Sequence, residues 1–470
     1  MTRLVAVSNR VTASTRAAGG LAVGIHAAMR SQGGLWLGWS GKLAADETAA
    51  VDVTRRDNVE LATFDLPRHD FDLYYAGFCN GTLWPLCHYF VAGLHYSRPQ
   101  FDAYVRVNRL FAERLLPLLR DDDLVWVHDY HLMYLARELR ARGVTRPLGF
   151  FLHIPFPHVE ALRALPRYGE LIRALLEYDV VGFQTARDIA CFRSAVVEVL
   201  GASALYHDEV RRPHGRTRIG VFPIGVDVDV IRREARESQG SRTVKRMGAG
   251  LRGRRCVIGV DRLDYSKGLV ERFEAYELLM QLHPERLARV SFLQIAPLSR
   301  SDVQAYRAIR RSLEQTAGRI NAALTDTDWT PIRYLNRDFE HDVLMGFLRN
   351  AAVGVVTPVR DGMNLVAKEF VAAQDPADPG VLVLSTLAGA AQELDDALLV
   401  NPHDRRDVAD AINTALDMSR EERRARHERM VRILERNDVH TWCARFLAEL
   451  ERASQGRRPE PIVVRAAGHV

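Results

Sequence analysis

Short apolar, β-branched runs recur along the chain, alternating with longer stretches whose apolar residues return every three or four positions. LVAVS (4–8), LVWVH (124–128), GFFLHI (149–154), VVGFQ (180–184), RIGVFPIG (218–225), VIGV (257–260), VSFLQIA (290–296), VGVVTP (353–358) and VLVLS (381–385) predict strands. YHLMYLARELRARG and LVERFEAYELLMQL predict helices between them. Continuous apolar runs belong to strands covered on both faces, and strands separated by helices belong to parallel sheets. The pattern therefore predicts a doubly wound α/β protein.

The predicted strands fall into two groups, one ending near Val226 and the other beginning near Cys256. Between them, 227–253 is rich in Arg, Ser and Gly and weak in apolar periodicity, which places a boundary there. At 470 residues the chain is too long for one core. The expected organisation is two Rossmann-like domains, 1–226 and 227–454, facing a central cleft. The last helix is expected to pack back on the first domain, and 455–470 to form a disordered tail. Ligands of open α/β sheets bind at the carboxyl ends of the strands.

Composition narrows the function. A formal charge of +5 is small for this length and lacks the clustered basic face of a nucleic-acid binder. The run REERRARHERMVRILER (420–436) interleaves glutamates and reads as a solvated helix. Five scattered cysteines without a C-x-x-C pair, and a start without a signal-peptide core, point to reduced thiols in the cytoplasm. No stretch offers 18 uninterrupted apolar residues, so no membrane span is expected. The expected partners are small molecules, in a homo-oligomer (dimer or tetramer), with neither nucleic acid nor membrane.

The strand ends are loaded with ionisable residues. LVWV leads into His128-Asp129-Tyr130-His131, and GFFL into His153. VIGV leads into Asp261-Arg262, VSFLQIAP into Leu298-Ser299-Arg300, and VGVVTPV into Arg360-Asp361-Gly362-Met363-Asn364-Leu365. The first strand ends on Ser8-Asn9-Arg10. A lone histidine after a strand is more often a hydrogen-bonded structural residue than a catalyst, and His128 and His131 have no third ligand at metal-site spacing. Recurrence weakens the structural reading: packing does not require ionisable residues at five or six strand ends.

Two loops carry sharper signals. In GVDRLDYSKGL (259–269), Arg262 and Lys267 share a strand-to-helix turn with no evident carboxylate partner fixed between them, which suits an anion-binding corner as well as a solvated loop. In DGMNLVAKE (361–369), the amides of Met363, Asn364 and Leu365 open a helix and suit a phosphate oxygen or sugar hydroxyl. Glu369, a turn further on, either accepts hydrogen bonds from a ribose diol or complements the helix dipole. Gly19-Gly20 before a helix lets backbone approach a phosphate, yet neither G-x-G-x-x-G nor a Walker sequence is present, which counts against a dehydrogenase. The acidic pairs DFD (70–72), DVD (227–229) and DTD (326–328) do not follow a strand at the cleft, so no metal is expected.

VSNR, GGLAVG, WLGWSG, YY-x-GF-x-N-x-x-LWP-x-x-HY, VWVHDYHL, GFFLHIPFP, DVVGFQT, VDRLDYSKGL, RDGMNLVAKEFVAAQ and PGVLVLS, in this order over roughly 3–450, resemble the bacterial trehalose-6-phosphate synthases of glycosyltransferase family 20. The resemblance implies the glycosyltransferase-B fold, an acceptor-binding first domain and a nucleotide-sugar-binding second domain. It implies retaining transfer of glucose from a nucleotide donor, UDP-glucose by default, to glucose 6-phosphate, without metal or cofactor. Arg262 and Lys267 would hold the donor diphosphate and stabilise its departure, Glu369 the ribose, and the amides of Asn364 and Leu365 the phosphates, with Met363 also among the donor-binding residues. Asp361 and His153 would contact the donor glucose, with Gly20 nearby. Arg10, Tyr75, Trp84 and Arg300 would grip the acceptor, and Asp129 its hydroxyls. Asp129, His153, Arg262, Lys267 and Asp361 form the expected catalytic set. The first loop, Val11 to Ala18, looks short for the family.

A carboxylate nucleophile under the anomeric carbon would have to be Asp129 or Asp361, both already given hydroxyl-binding roles, so same-face attack within an ion pair is expected. Two alternatives remain at this level: a same-family enzyme using another acceptor such as glycerol 3-phosphate or a cyclitol phosphate, and a catalytically silent sensor of sugar phosphates.

Overall fold

In a computed structural model, residues 3–11, 24–26, 29–30, 32–45, 50–212, 215–298 and 304–455 are described. The first sheet holds β1 (Leu4–Arg10), β2 (Gly34–Ala44), β3 (Asp52–Arg56), β4 (Val59–Pro67), β5 (Leu124–His128), β6 (Leu148–Phe151), β7 (Val180–Phe183), β8 (Leu205–Tyr206), β9 (Glu209–Arg212) and β10 (Gly215–Val221). Its order is β3-β4-β2-β1-β5-β6-β7-β10-β9-β8. The second holds β11 (Arg255–Val260), β12 (Val290–Ile295), β13 (Ile332–Leu335), β14 (Val353–Val356), β15 (Val381–Ser385) and β16 (Leu398–Val400), ordered β13-β12-β11-β14-β15-β16. Every pair of the second sheet is parallel. In the first, antiparallel pairing is confined to the edges, at β3–β4 and through β8–β9–β10.

The strands that the apolar pattern predicts are those with helices on both faces: all residues of β5, β14 and β15 are buried. The pattern misses β3, DVTRR, whose five residues are all exposed, because a polar edge strand has no apolar signature to read. It also misses β2, β4, β8, β9, β13 and β16. The run 218–225 is a strand only to Val221, and 353–358 only to Val356.

The segment 227–253, read as weakly periodic, forms two helices. Asp227 caps Val228–Glu237 and Ser241 caps Arg242–Leu251, each side chain accepting from a backbone N–H in the first turn. Their buried stripes are narrow, Val228, Ile231 and Ala235 in one and Val244 and Leu251 in the other, so arginines dominate the local pattern.

The chain crosses between the sheets twice, and the crossings touch where Val439 N donates to Val226 O (3.4 Å). The second crossing feeds helix Val439–Gln455, which lies against the first sheet. Its Phe446 stacks on Trp126 with centroids 4.5 Å apart and meets Phe222 at 5.1 Å. All five cysteines are buried and unbridged. Among the described residues no helix is long and apolar enough to cross a membrane. The 456–470 part of the tail lies outside the described residues.

Candidate active site

The carboxyl ends of the two sheets meet through paired side chains. The Arg262 guanidinium lies 5.7 Å from the Trp84 ring centroid, Arg360 lies 4.5 Å from that of Tyr89, and Phe90 packs against Tyr265 at 4.9 Å. Each pair has one member from each domain.

On the second-sheet side, the loop after β11 is wired from beneath by Arg272. Its buried guanidinium donates to Asp261 (2.7 Å), Gln294 (3.0 Å), Thr357 (3.0 Å) and the Lys267 carbonyl (3.2 Å), joining the ends of β11, β12 and β14. Asp264 is wholly buried and shapes the loop, accepting from Ser266 N (3.0 Å) and Tyr306 Oη (2.9 Å). The loop closes on Gly268 at φ +63°, a left-handed conformation that favours glycine.

Lys267, expected to have no carboxylate partner, has one: its Nζ lies 2.5 Å from Asp361 Oδ2. That oxygen also accepts from Asn364 Nδ2 at 3.0 Å. Burial pushes the Asp361 carboxyl up, but the Lys267 charge and these two hydrogen bonds outweigh it and hold the group below the ordinary carboxylate range. Asn364, at φ +80°, turns the chain and caps helix Leu365–Ala373 by accepting from Ala367 N. The first N–H groups of any helix lack intrahelical acceptors. Here Met363 is buried and Leu365 half-buried beside Asp361. Glu369 lies one turn into this helix, its Oε1 3.8 Å from His341 Nε2, while His341 Nδ1 lies 2.6 Å from Glu234 Oε2.

On the first-sheet side, Asp129 follows β5 at φ +74° and accepts from His153 N at 3.3 Å. His153 Nε2 is 3.2 Å from His128 Nδ1. Although His153 keeps an opening to the cleft, burial pushes its imidazole down to about 3, and it is neutral at physiological pH. The domains touch closely here: a Cβ on Gly362 would fall 2.3 Å from the His153 carbonyl oxygen.

An aromatic row connects the two ends of the site. Arg10 lies 5.7 Å from the Trp39 ring, Trp39 5.9 Å from Tyr75, Tyr75 stacks on His131 at 5.9 Å, His131 meets Tyr130 at 3.9 Å, and Tyr130 meets Trp84 at 5.7 Å. Arg10 and Arg262 thus stand at opposite ends of one aromatic row. Tyr75 comes from a helix of π pitch, Phe71–Leu83, and Trp84 from the turn that continues it.

Gly20 and Arg300, and all of the Val11–Ala18 loop beyond Val11, lie outside the described residues. Of the other expected residues, Arg10, Asp129, His153, Arg262, Lys267, Asp361, Met363 and Asn364 lie at or after strand ends, whereas Tyr75, Trp84, Leu365 and Glu369 stand on helices. Sequence reasoning singled out neither Trp39 nor His88, although both stand in motifs carrying the resemblance. The His88 ring stacks on Trp84 at 4.1 Å, and its Nδ1 lies 2.8 Å from the Trp84 carbonyl. Burial drives it down to about 4, against the upward pull of Asp264 and Asp361. His341 had no local signal, because its partners come from distant helices. Among the described residues no three His, Cys, Asp or Glu side chains converge as metal ligands do.

The family model for Glycosyltransferase family 20 matches residues 2–452. The trehalose-6-phosphate synthase of Klebsiella pneumoniae subsp. pneumoniae is 47% identical over 457 residues, covering 97% of this chain and 96% of the relative. The crystal structure of an alpha,alpha-trehalose-phosphate synthase (UDP-forming) from Burkholderia vietnamiensis superposes with a TM-score of 0.94 at 48% identity, covering 97% of this chain and 98% of that one. Another, from Burkholderia xenovorans in complex with glucose-6-phosphate, gives 0.93 at 48% identity, covering 96% and 100%. With a family model matched over almost its whole length and relatives close to half identical, the chain belongs to glycosyltransferase family 20.

Proposed function

We propose that this protein transfers glucose from UDP-glucose to glucose 6-phosphate with retention, giving α,α-trehalose 6-phosphate and UDP. The observation that carries the reading is the cationic corner of Arg262 and Lys267, set against Trp84 and Asp361 where the two sheets meet. Similarity to UDP-forming synthases, one of them holding glucose-6-phosphate, supports the choice of both substrates.

In this reading Arg262 and Lys267 receive the donor diphosphate and offset the charge that grows on it as the glycosidic bond breaks. The amides of Met363, Asn364 and Leu365 assist at the phosphates, and Glu369 accepts the ribose hydroxyls. His153 and Asp361 hold the glucose, with Gly20 beside them. Arg10 and Arg300 bind the acceptor phosphate through guanidinium forks. Tyr75 and Trp84 flank the acceptor sugar, and Asp129 accepts from its hydroxyls.

The C1–oxygen bond to the β-phosphate breaks, the acceptor hydroxyl oxygen bonds C1 on the same face, and its proton passes to the departing phosphate oxygen. Engagement of Asp361 by Lys267 and Asn364 favours this route over a covalent glycosyl-aspartate. The two cations supply the charge that a metal ion supplies elsewhere, so activity is expected to survive a chelator.

The test is to incubate the protein with each nucleotide-glucose and glucose 6-phosphate, following nucleoside diphosphate release and identifying the product by mass and glycosidase sensitivity. Turnover only with glycerol 3-phosphate or a cyclitol phosphate would replace the acceptor. Saturable glucose 6-phosphate binding with no turnover on any donor would make the protein a sensor.

A further inference from the structure

His341 opens helix His341–Arg349, and its imidazole lies between carboxylates from two other helices. Nδ1 is 2.6 Å from Glu234 Oε2, on helix Val228–Glu237, and Nε2 is 3.8 Å from Glu369 Oε1, on helix Leu365–Ala373. Side-chain exposures of 31%, 28% and 16% for His341, Glu234 and Glu369 put the trio in a partly enclosed seam, where water screens charge less than on an open surface. A neutral imidazole carries one N–H and donates to one carboxylate, whereas the imidazolium presents a donor to both. The two contacts differ in kind. The shorter is a charge-assisted hydrogen bond that fixes the ring, whereas the longer is an ion pair that leaves Glu369 oxygens open to accept from a ligand.

We infer that His341 is a positioning residue for the donor site: anchored by Glu234, its positive charge holds the Glu369 carboxylate where it accepts two vicinal hydroxyls of a nucleotide ribose. This rests on the reading of Glu369 as the ribose ligand. Burial by itself would lower the imidazole, but Glu234 and Glu369 together carry it up to about 10. Its own helix adds Asp342 just after it and the cap residue Glu340 just before it. The neighbouring cation Lys368 is engaged elsewhere, by Ile224 O and Glu393. Helix Arg242–Leu251, which also packs here, brings Arg242, Lys245 and Arg246. The cation is present at neutral pH and is lost as pH rises through about 10.

The experiment compares binding of UDP and 2′-deoxy-UDP to the full-length protein by calorimetry. Wild type is expected to prefer UDP by about tenfold or more, the worth of a hydrogen bond to a charged group. His341→Gln is expected to bring that ratio close to one. Wild type is expected to show a rise in donor KM as pH approaches 10, and His341→Arg, a permanent cation, is expected to keep the ratio and abolish that rise. Glu234→Gln, which loosens the anchor without touching the ring, is expected to reduce the ratio even if His341→Gln fails to fold. A ratio unchanged in His341→Gln and Glu234→Gln but lost in Glu369→Ala overturns the positioning role and leaves Glu369 as the ribose ligand. A ratio unchanged in Glu369→Ala removes the ribose reading itself.

Discussion

The Lys267 ammonium and the Asp361 carboxylate, 94 positions apart in the chain, meet at 2.5 Å where the loops after β11 and β14 converge. The pair orders both groups before any ligand arrives, and a diphosphate entering the corner adds to an existing charge network. Lys267→Ala is expected to lower kcat by about 10²–10³, the worth of one donor at a developing oxyanion, with unchanged circular dichroism. It also leaves Asp361 buried without its counter-charge, so that carboxyl moves up and the acid limb of the pH–rate profile shifts to higher pH. Near-wild-type turnover would leave the Lys267–Asp361 pair a merely structural role.

Gly362→Ala tests the contact between the domains. The added methyl would fall 2.3 Å from the His153 carbonyl oxygen, which is backbone and has no rotamer to yield. Stability in urea is expected to drop by about 1–3 kcal/mol, as overpacking does, with a fall in kcat/KM. Full activity would show that the two loops separate without consequence.

Lys368 stands beside Glu369 in sequence yet has a different environment. It is wholly buried, with Nζ 2.7 Å from Ile224 O at the crossing between domains and 2.6 Å from Glu393 Oε2. Lys368→Met strands Glu393 and is expected to cost about 3–5 kcal/mol in urea unfolding. Lys368→Met with Glu393→Gln is expected to recover much of that, because no unpaired charge remains. Equal losses in the single and double variants would rule out the ion pair as the cause.

The buried histidines predict a loss of stability in mild acid. His88 lies at about 4 in the folded protein, whereas histidine in an unfolded chain titrates near 6.5. Between those values the unfolded state binds the extra proton, so stability falls as pH falls, by up to about 1.4 kcal/mol per pH unit for this group. Above about pH 7 the effect vanishes. Urea midpoints measured from pH 8 to 4 are expected to show this slope, and His88→Gln to flatten it. His153, at about 3, contributes in the same direction over a wider window.

The sequence by itself determined the alternation of apolar strands and helices, because LVWVH, VGVV and VLVLS are buried on both faces and need no polar positions. It also determined which loops carry ionisable side chains, since those loops follow directly from such strands and their motifs are contiguous. The polar edge strand DVTRR and the narrow-striped helices of 227–253 were not legible, because little of their surface is buried. Tertiary structure alone decided the partnerships: Lys267 with Asp361, Arg262 with Trp84, Gly362 against His153, and His341 between Glu234 and Glu369. Each joins residues far apart along the chain: Lys267 and Asp361 meet because β11 and β14 are neighbours in one sheet, His341 and its carboxylates because three helices of the second domain pack together, and the other two pairs because the two sheets meet. Local pattern reports the burial of one element; charge pairing between distant positions is a property of how elements meet.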